Sequence, residues 1–356
     1  MKSQRPKPLH RLCGRPMVLH VLDALAELQV DQVVVVVGHG AAQVVKAVQE
    51  AAPSTLTVHF VEQEVQRGTG DAVAVGLTGF PDELEDELED DLVVLPGDAP
   101  LLRPATLAQL VRYHRATEAA ATLLTAELDD PWGYGRVVRS KDGRVAGIVE
   151  ESDATAEERE IREVNTSIYC FRRGVLAPTL RRLSPDNVKG EYYLTDAIAV
   201  LHDAGYPVVS MVAADATEAA GVNDRAQLAA AEAELRCRTN DKWMRRGVTM
   251  LDPEQTYVDA SVELSPDVTL FPGTLLQGKT VVAPGAEIGP NTRLVDCTVG
   301  EGARVELSVG RQAEIGAGAV VGPFAALGKG AVVPSSTVTG PFYRDEGMAT
   351  EDDRGA

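Results

Sequence analysis

The chain has 356 residues, 44% of them hydrophobic, enough to bury the cores of two domains of ordinary size. Its formal net charge of −19 argues against nucleic acid or an anionic membrane surface as a partner, and no apolar run approaches the length of a membrane span. Four scattered cysteines, Cys13, Cys170, Cys237 and Cys297, lack CxxC spacing; they argue against a zinc site or a disulfide framework and fit the reducing cytoplasm.

The sequence opens on a basic loop, Met1 to His10. Apolar residues at helical spacing then predict a helix from Met17 to Leu28, with Pro16 near its first turn. Val33 to Val37, five consecutive β-branched residues stopped by Gly38-His-Gly40, predict a buried parallel strand. A helix from Ala41 to about Ala51 follows, then a strand from Leu56 to Val61. Asp82 to Asp91 holds eight acidic residues in ten and reads as a solvated surface segment. Leu92 to Leu95 predicts another buried parallel strand, stopped by Pro96 and Gly97. This alternation of strand and helix is the signature of a doubly wound α/β sheet.

Asp98 stands just past the carboxyl end of that strand, the edge at which open α/β sheets bind ligands. Taken by itself it can cap the following helix or hold a divalent cation against a phosphate. Gly68-Thr-Gly70 reads as a plain turn or as a set of amides at a helix start facing an anion or a base edge. Gly133-Tyr-Gly-Arg136 opens a hairpin of Val137-Val138 and Val145 to Val149, with Glu150 at its end. Asn165 lies near the start of a strand from Val164 to Phe171. Gly221-Val-Asn-Asp224 leads into an alanine-rich helix to about Arg246, with Asn223 or Asp224 available as its N-cap.

A six-residue period takes over after Asp252. Leu264, Leu270, Leu276, Val282, Ile288 and Leu294 carry it; the register slips and resumes at Val309, Ile315, Val321, Leu327 and Val333. Such hexads, each one short strand and one turn, predict a parallel β-helix.

With these pieces in this order, the chain resembles the bifunctional N-acetylglucosamine-1-phosphate uridylyltransferase/glucosamine-1-phosphate N-acetyltransferase family. The matching runs are Met1-Lys-Ser with Pro6-Lys7, Val37-Gly-His-Gly40, Gly68-Thr-Gly70, Gly97-Asp98, Gly133-Tyr-Gly-Arg136, Gly147-Ile-Val-Glu150, Asn165-Thr166, Gly190-Glu-Tyr-Tyr-Leu-Thr-Asp196 and Gly221-Val-Asn223. They cover almost all of the first 250 residues, in order. The resemblance implies a Rossmann-like nucleotidyltransferase domain at 1–223, a helical linker at 224–250 and a left-handed β-helix at 251–340; the sequence itself closes on an acidic tail at 341–356.

It also implies roles. Lys7 lies against the nucleotide phosphates. Gln63, Gly68 and Thr69 hold the uracil, and Pro96, Gly97 and Asp98 complete the nucleotide site, Pro96 replacing a tyrosine more usual in the family. Asp98 and Asn223 share Mg²⁺. Gly135, Glu150 and Asn165, with Asn223, face the N-acetylglucosamine moiety. The implied reaction joins UTP and N-acetylglucosamine 1-phosphate into UDP-N-acetylglucosamine, a cell-wall precursor, and releases pyrophosphate. The nucleophile is already an anion, so no general base is required, and His10, His20 and His39 read as structural. The family's β-helix makes homotrimers.

Two departures shape the expectations. The family begins with a strand and a Leu-Ala-Ala-Gly-x-Gly-Thr-Arg loop directly before its Met-Lys-Ser run, whereas this sequence opens at Met1. In a 3-2-1-4 sheet, Val33–Val37 and Leu92–Leu95 are then expected two strand widths apart, about 10 Å, and not hydrogen-bonded to each other. The β-helix is also short: Ala326 and Gly328 stand where the family carries arginines, so acetyl transfer is expected to be absent. Alternatives are transfer to another sugar phosphate or with thymidine as the base, and a catalytically silent relative that binds sugar nucleotide.

Overall fold

A computed structural model of the chain describes residues 1, 3–80 and 90–347. The chain divides into two compact units. Met1–His10 with Pro16–Gln227 forms the first, and Arg11–Arg15 with Leu228–Ala356 forms the second. No helix among the described residues is long and apolar enough to cross a membrane.

The first unit is α/β. Its elements are α1 (Met17–Ala26), β1 (Val33–Val37), α2 (Ala41–Ala51), β2 (Val58–Glu62), α3 (Thr69–Leu77), β3 (Asp91–Val94), α4 (Pro104–Ala116), β4 (Ala121–Glu127), β5 (Arg136–Arg139), β6 (Val145–Val149), β7 (Glu163–Arg172), α5 (Arg173–Leu180), α6 (Asp196–Asp203) and β8 (Val208–Val212). β1 and β2 pair in parallel as a sheet of their own, Val33 opposite Val58 through Val37 opposite Glu62. β3, expected as a buried parallel strand, instead pairs antiparallel with β7, Asp91 opposite Arg172 through Val94 opposite Tyr169, and its residues are half-buried. Among the described residues β1 and β3 share no ladder.

The larger sheet runs β8-β4-β7-β5-β6, with β3 also on β7. It is mixed, because β7 runs antiparallel to β3, β4 and β5. β4, which sequence reasoning did not place, is the most enclosed strand: Ala121 to Ala126 are all buried. Helices cover both faces. Leu107 and Leu110 of α4 pack with Leu124, Ile168 and Cys170 on one side. Leu176 of α5 and Ile198 and Leu201 of α6 pack with Leu123, Tyr169 and Phe171 on the other. Each such fully buried Leu, Ile or Phe contributes on the order of 1.5–3 kcal/mol.

The acidic segment departs in part from its expected solvated character. Residues 82–89 lie outside the described residues. Asp91 begins β3, and its side chain is 15% exposed and paired with Arg115.

The second unit is a parallel β-solenoid of three sheets. Its ladders run, for example, Val258, Leu276, Leu294, Gly310 and Leu327, each stacked on the one before. Two of every six side chains point inward. One is the apolar strand residue of the hexad. The other, two positions earlier, is small: Thr274, Thr280, Ala286, Thr292, Cys297, Ala303, Ser308, Ala313 and Ala319 are all buried. The threonines satisfy their hydroxyls on the turn, as where Thr274 donates to Phe271 O at 2.7 Å.

The expected inward set holds with one correction. Val309 is 53% exposed, and Gly310 takes the inward place between Leu294 and Leu327. The coil there is 16 residues, Leu294 to Gly310, against 18 from Leu276 to Leu294. A Cβ on Gly310 would stand 3.0 Å from Leu294 Cδ2 and 3.3 Å from Cys297 Sγ, so a larger residue in the contracted coil would require those side chains to give way. The last described ladder sets Arg344–Asp345 on Ala326–Leu327. Arg11–Arg15 is built into this unit: Cys13 N donates to Glu232 at 2.7 Å, and Cys13 O accepts from Ala260 N at 2.9 Å.

Candidate active site

Lys7 begins a single 3-10 turn, Lys7–Leu9, between Pro6 and Pro8. A proline ring restricts φ, which is −51° at Pro6, so the stem of Lys7 leaves a stiff backbone. Its ammonium donates to Asp98 Oδ2 and, at 2.7 Å, to Asn223 Oδ1. Three residues separated by 91 and 216 positions thus meet at one atom.

Each partner is carried there by local structure. β3 ends at Val94, and the Leu95-Pro96-Gly97 turn delivers Asp98 beyond the carboxyl end of the strand. Asp98 O accepts from Val222 N at 3.0 Å, which docks the Gly221-Val-Asn223 loop against it. The capping question resolves in favour of Asp224. Its Oδ1 accepts from Gln227 N at 2.8 Å, and Gln227 Oε1 accepts from Asn223 N at 2.7 Å. That exchange caps the helix Arg225–Arg245 and leaves the Asn223 side chain for Lys7.

Asp98 and Asn223 present oxygen from two sides to one cationic group. An acidic carboxylate and a neutral amide oxygen are hard donors, and a hard divalent cation suits them. The Lys7 ammonium occupies the point where their oxygens converge.

A second cluster lies at the start of α3. Gln63 is buried and donates through Nε2 to Asp71 Oδ2 at 2.7 Å and to Gly68 O at 3.3 Å. Gly68 has φ +112°, and a Cβ there would fall 2.5 Å from Tyr192 O, so only glycine fits. The segment Tyr192–Thr195 straps this turn down. Gly70 N donates to Tyr192 O at 2.8 Å, and Leu194 N donates to Thr69 Oγ1 at 3.0 Å.

The same strap reaches the third cluster. Thr195 Oγ1 donates to Glu150 Oε1 at 3.1 Å. A Cβ on Gly135 would stand 2.9 Å from Ile148 Cγ2, 3.6 Å from Glu150 Oε1 and 3.7 Å from Asn165 Cβ. Asn165 N donates to Gly135 O at 2.8 Å. A β-bulge aims Asn165: the β4–β7 register jumps between Leu124 and Thr125, with Ser167 at φ +61°. Burial pushes the Glu150 carboxyl up, opposed by the Thr195 hydrogen bond and the Lys189 charge.

Tyr134 joins the third cluster to the first. Burial raises its phenol, and the negative charge of Asp98 raises it further. Tyr134 and Thr195 were not singled out from the sequence, although both lie inside runs that were, Gly133–Arg136 and Gly190–Asp196. Pro96 and Gly97 sit in the turn before Asp98, and a Cβ on Gly97 would meet nothing within 4 Å. His10 is buried, with its basicity lowered chiefly by burial.

A family model described as nucleotidyl transferase matches residues 2–244. The chain is 44% identical over 342 residues to the bifunctional protein GlmU of Desulfitobacterium hafniense, covering 96% of this chain and 73% of that one. It is 46% identical over 343 residues to the GlmU of Mycolicibacterium gilvum, covering 96% and 68%. With the GlmU of Thermobifida fusca it shares 47% over 316 residues, covering 89% and 64%.

Proposed function

The chain belongs to the GlmU family of nucleotidyl transferases, and from that membership we propose that it forms UDP-N-acetylglucosamine and pyrophosphate from UTP and N-acetylglucosamine 1-phosphate. A phosphate oxygen of the sugar 1-phosphate attacks the α-phosphorus of UTP. The bond to the β-phosphate bridging oxygen breaks, and pyrophosphate leaves. Both reactants are anions, so the task of the site is neutralisation and alignment.

The observation that carries this reading is the meeting of Lys7, Asp98 and Asn223 at the carboxyl edge of β3. Asp98 and Asn223 would hold Mg²⁺, which when bound offsets phosphate charge. Lys7 then turns its ammonium to the phosphates. Gln63 and the Gly68-Thr69 turn fix the uracil edge. Glu150 and Asn165 accept and donate at the sugar, in the space that the missing Cβ of Gly135 leaves. We place the reaction in the cytoplasm, a reading that the four free cysteines support.

Acetyl transfer is not assigned to this chain. A Cβ at Gly328 would stand 2.6 Å from Glu346 O, so the arginine of the resembled pattern does not fit this backbone. A parallel β-solenoid is compatible with oligomerisation, and we take a homotrimer as the working state.

The experiment is pyrophosphate release from a panel of nucleoside triphosphates and sugar 1-phosphates with Mg²⁺ present. Turnover confined to UTP with N-acetylglucosamine 1-phosphate supports the reading. Preference for dTTP or another sugar moves the substrate assignment. No turnover together with measurable UDP-N-acetylglucosamine binding would establish a silent relative.

A further inference from the structure

At the opposite end of β3 from Asp98, three metal-ligating side chains from three elements converge. They are Asp91 at the start of β3, His114 near the end of α4 and Cys170 in β7. One ligand atom from each lies within 4.8 Å of the others. We propose that Asp91, His114 and Cys170 bind one divalent cation of the zinc class, apart from the nucleotide site.

The arrangement follows from the sheet. Val93 pairs with Cys170 and Cys170 with Thr122, so these side chains share the face that α4 covers. Asp91, two residues before Val93, lies on that face as well. His114 comes down on it from α4. Its Nδ1 is 2.8 Å from the Thr122 hydroxyl, and its Nε2 is 3.4 Å from Asp91 Oδ1. With the proton on Nδ1 and shared with Thr122, Nε2 offers its lone pair toward Asp91 and Cys170. This is the outer-shell hydrogen bond typical of metal-binding histidines.

The donor set separates this place from the Asp98 site. Sulfur and imidazole select zinc and its neighbours over Mg²⁺. Donor atoms around a tetrahedral zinc ion stand about 3.3–3.8 Å apart, given bonds of about 2.0–2.3 Å. The Asp91–His114 separation already lies in that range. Arg115 donates to the other carboxylate oxygen of Asp91, leaving Oδ1 for the ion. The charge of Arg115 and Arg172 is answered by Asp90, Asp91 and the Cys170 thiolate, which burial disfavours and which forms only as the incoming cation displaces the thiol proton to solvent. A surface depression of about 490 Å³, lined by Asp90, Asp91, His114, Arg115 and Arg172, reaches two of the three ligands from solvent, with Cys170 buried behind them.

The scattered cysteines argued against zinc because no two share a motif. The strand pairing, which brings Asp91 and His114 to Cys170, supplies the missing ligands.

The test is a titration of the full chain with Co²⁺ in excess Mg²⁺, with a non-thiol reductant. A Cys237→Ser background removes the one exposed cysteine. The expected result is one equivalent bound with a thiolate-to-Co²⁺ charge-transfer band. Cys170→Ser should abolish the band, and His114→Gln or Asp91→Asn should weaken binding at least 10-fold. If Cys170→Ser does not fold, the other two variants decide. Absence of the band at millimolar Co²⁺, or a band and affinity unchanged by His114→Gln and Asp91→Asn, would overturn the proposal.

Discussion

Lys7 Nζ and Asn223 Oδ1 stand 2.7 Å apart across 216 residues of sequence, with Asp98 accepting from the same ammonium. The ammonium thereby marks where positive charge is stable in this unit. Asp98→Ala removes the carboxylate and should lower pyrophosphate release by roughly 10²–10³-fold, the scale of losing a major charge-stabilising group. Asn223→Ala removes a neutral oxygen; it should cost about tenfold and raise the Mg²⁺ concentration needed for half-maximal rate. An unchanged rate in Asp98→Ala, with an unchanged melting curve, would remove Asp98 from the site.

Glu150 gives a prediction with a sign. Burial raises its carboxyl pKa above the unfolded value. A raised pKa means that its contribution is fully present below the unfolded pKa and lost as pH rises through the folded one. Glu150→Gln, neutral at every pH, should therefore gain in melting temperature relative to the parent as pH goes from about 4 to 8. The same variant should bind the sugar phosphate more weakly. A stability difference that does not change with pH would show that Glu150 pays no desolvation cost.

Gly68 sits at φ +112° with Tyr192 O 2.5 Å from where a Cβ would be. Gly68→Ala must strain the turn or push the Tyr192–Thr195 strap away. We expect a loss of about 1–3 kcal/mol in denaturant unfolding and a raised KM for UTP. Full stability and an unchanged KM would mean that the strap yields freely.

The solenoid register is tested by a pair of truncations. Leu294 is fully buried and Val309 is 53% exposed. Leu294→Ala should cost about 2–5 kcal/mol through the cavity it leaves, and Val309→Ala should stay within about 0.5 kcal/mol. Equal losses at both positions would restore Val309 to the inward set.

The expectation that acetyl transfer is absent is also testable. Thiol release from acetyl-CoA that depends on glucosamine 1-phosphate should not exceed the uncatalysed rate with this 356-residue chain. A stimulated rate would show that the residues at 326 and 328 are dispensable for that chemistry.

Periodicity made much of this protein legible. Val33–Val37 forms the strand that five β-branched residues in a row predict, but only Val37 is buried and the other four are half-buried. The hexads announce a solenoid, because each coil must return its apolar residue to the same axis. The motif glycines were readable in place, since Gly68 must take a conformation closed to other residues.

Pairing was not legible. β4, Ala121-Thr-Leu-Leu-Thr-Ala-Glu127, lacks both alternation and a β-branched run, yet it is the most enclosed strand. Its identity comes from its neighbours β7 and β8. The inward turn of Gly310 in place of Val309 depends on a coil contracted by two residues, which a fixed period does not register. Asp224 and Asn223 are equivalent caps by composition, and only the Gln227 hydrogen bonds assign the cap to one and free the other. Local chemistry thus determined the elements and their end signals. Long-range hydrogen bonding decided which side chains share a site, because contacts across 91 or 216 residues are set by the packing of whole elements and leave no periodic trace in the chain.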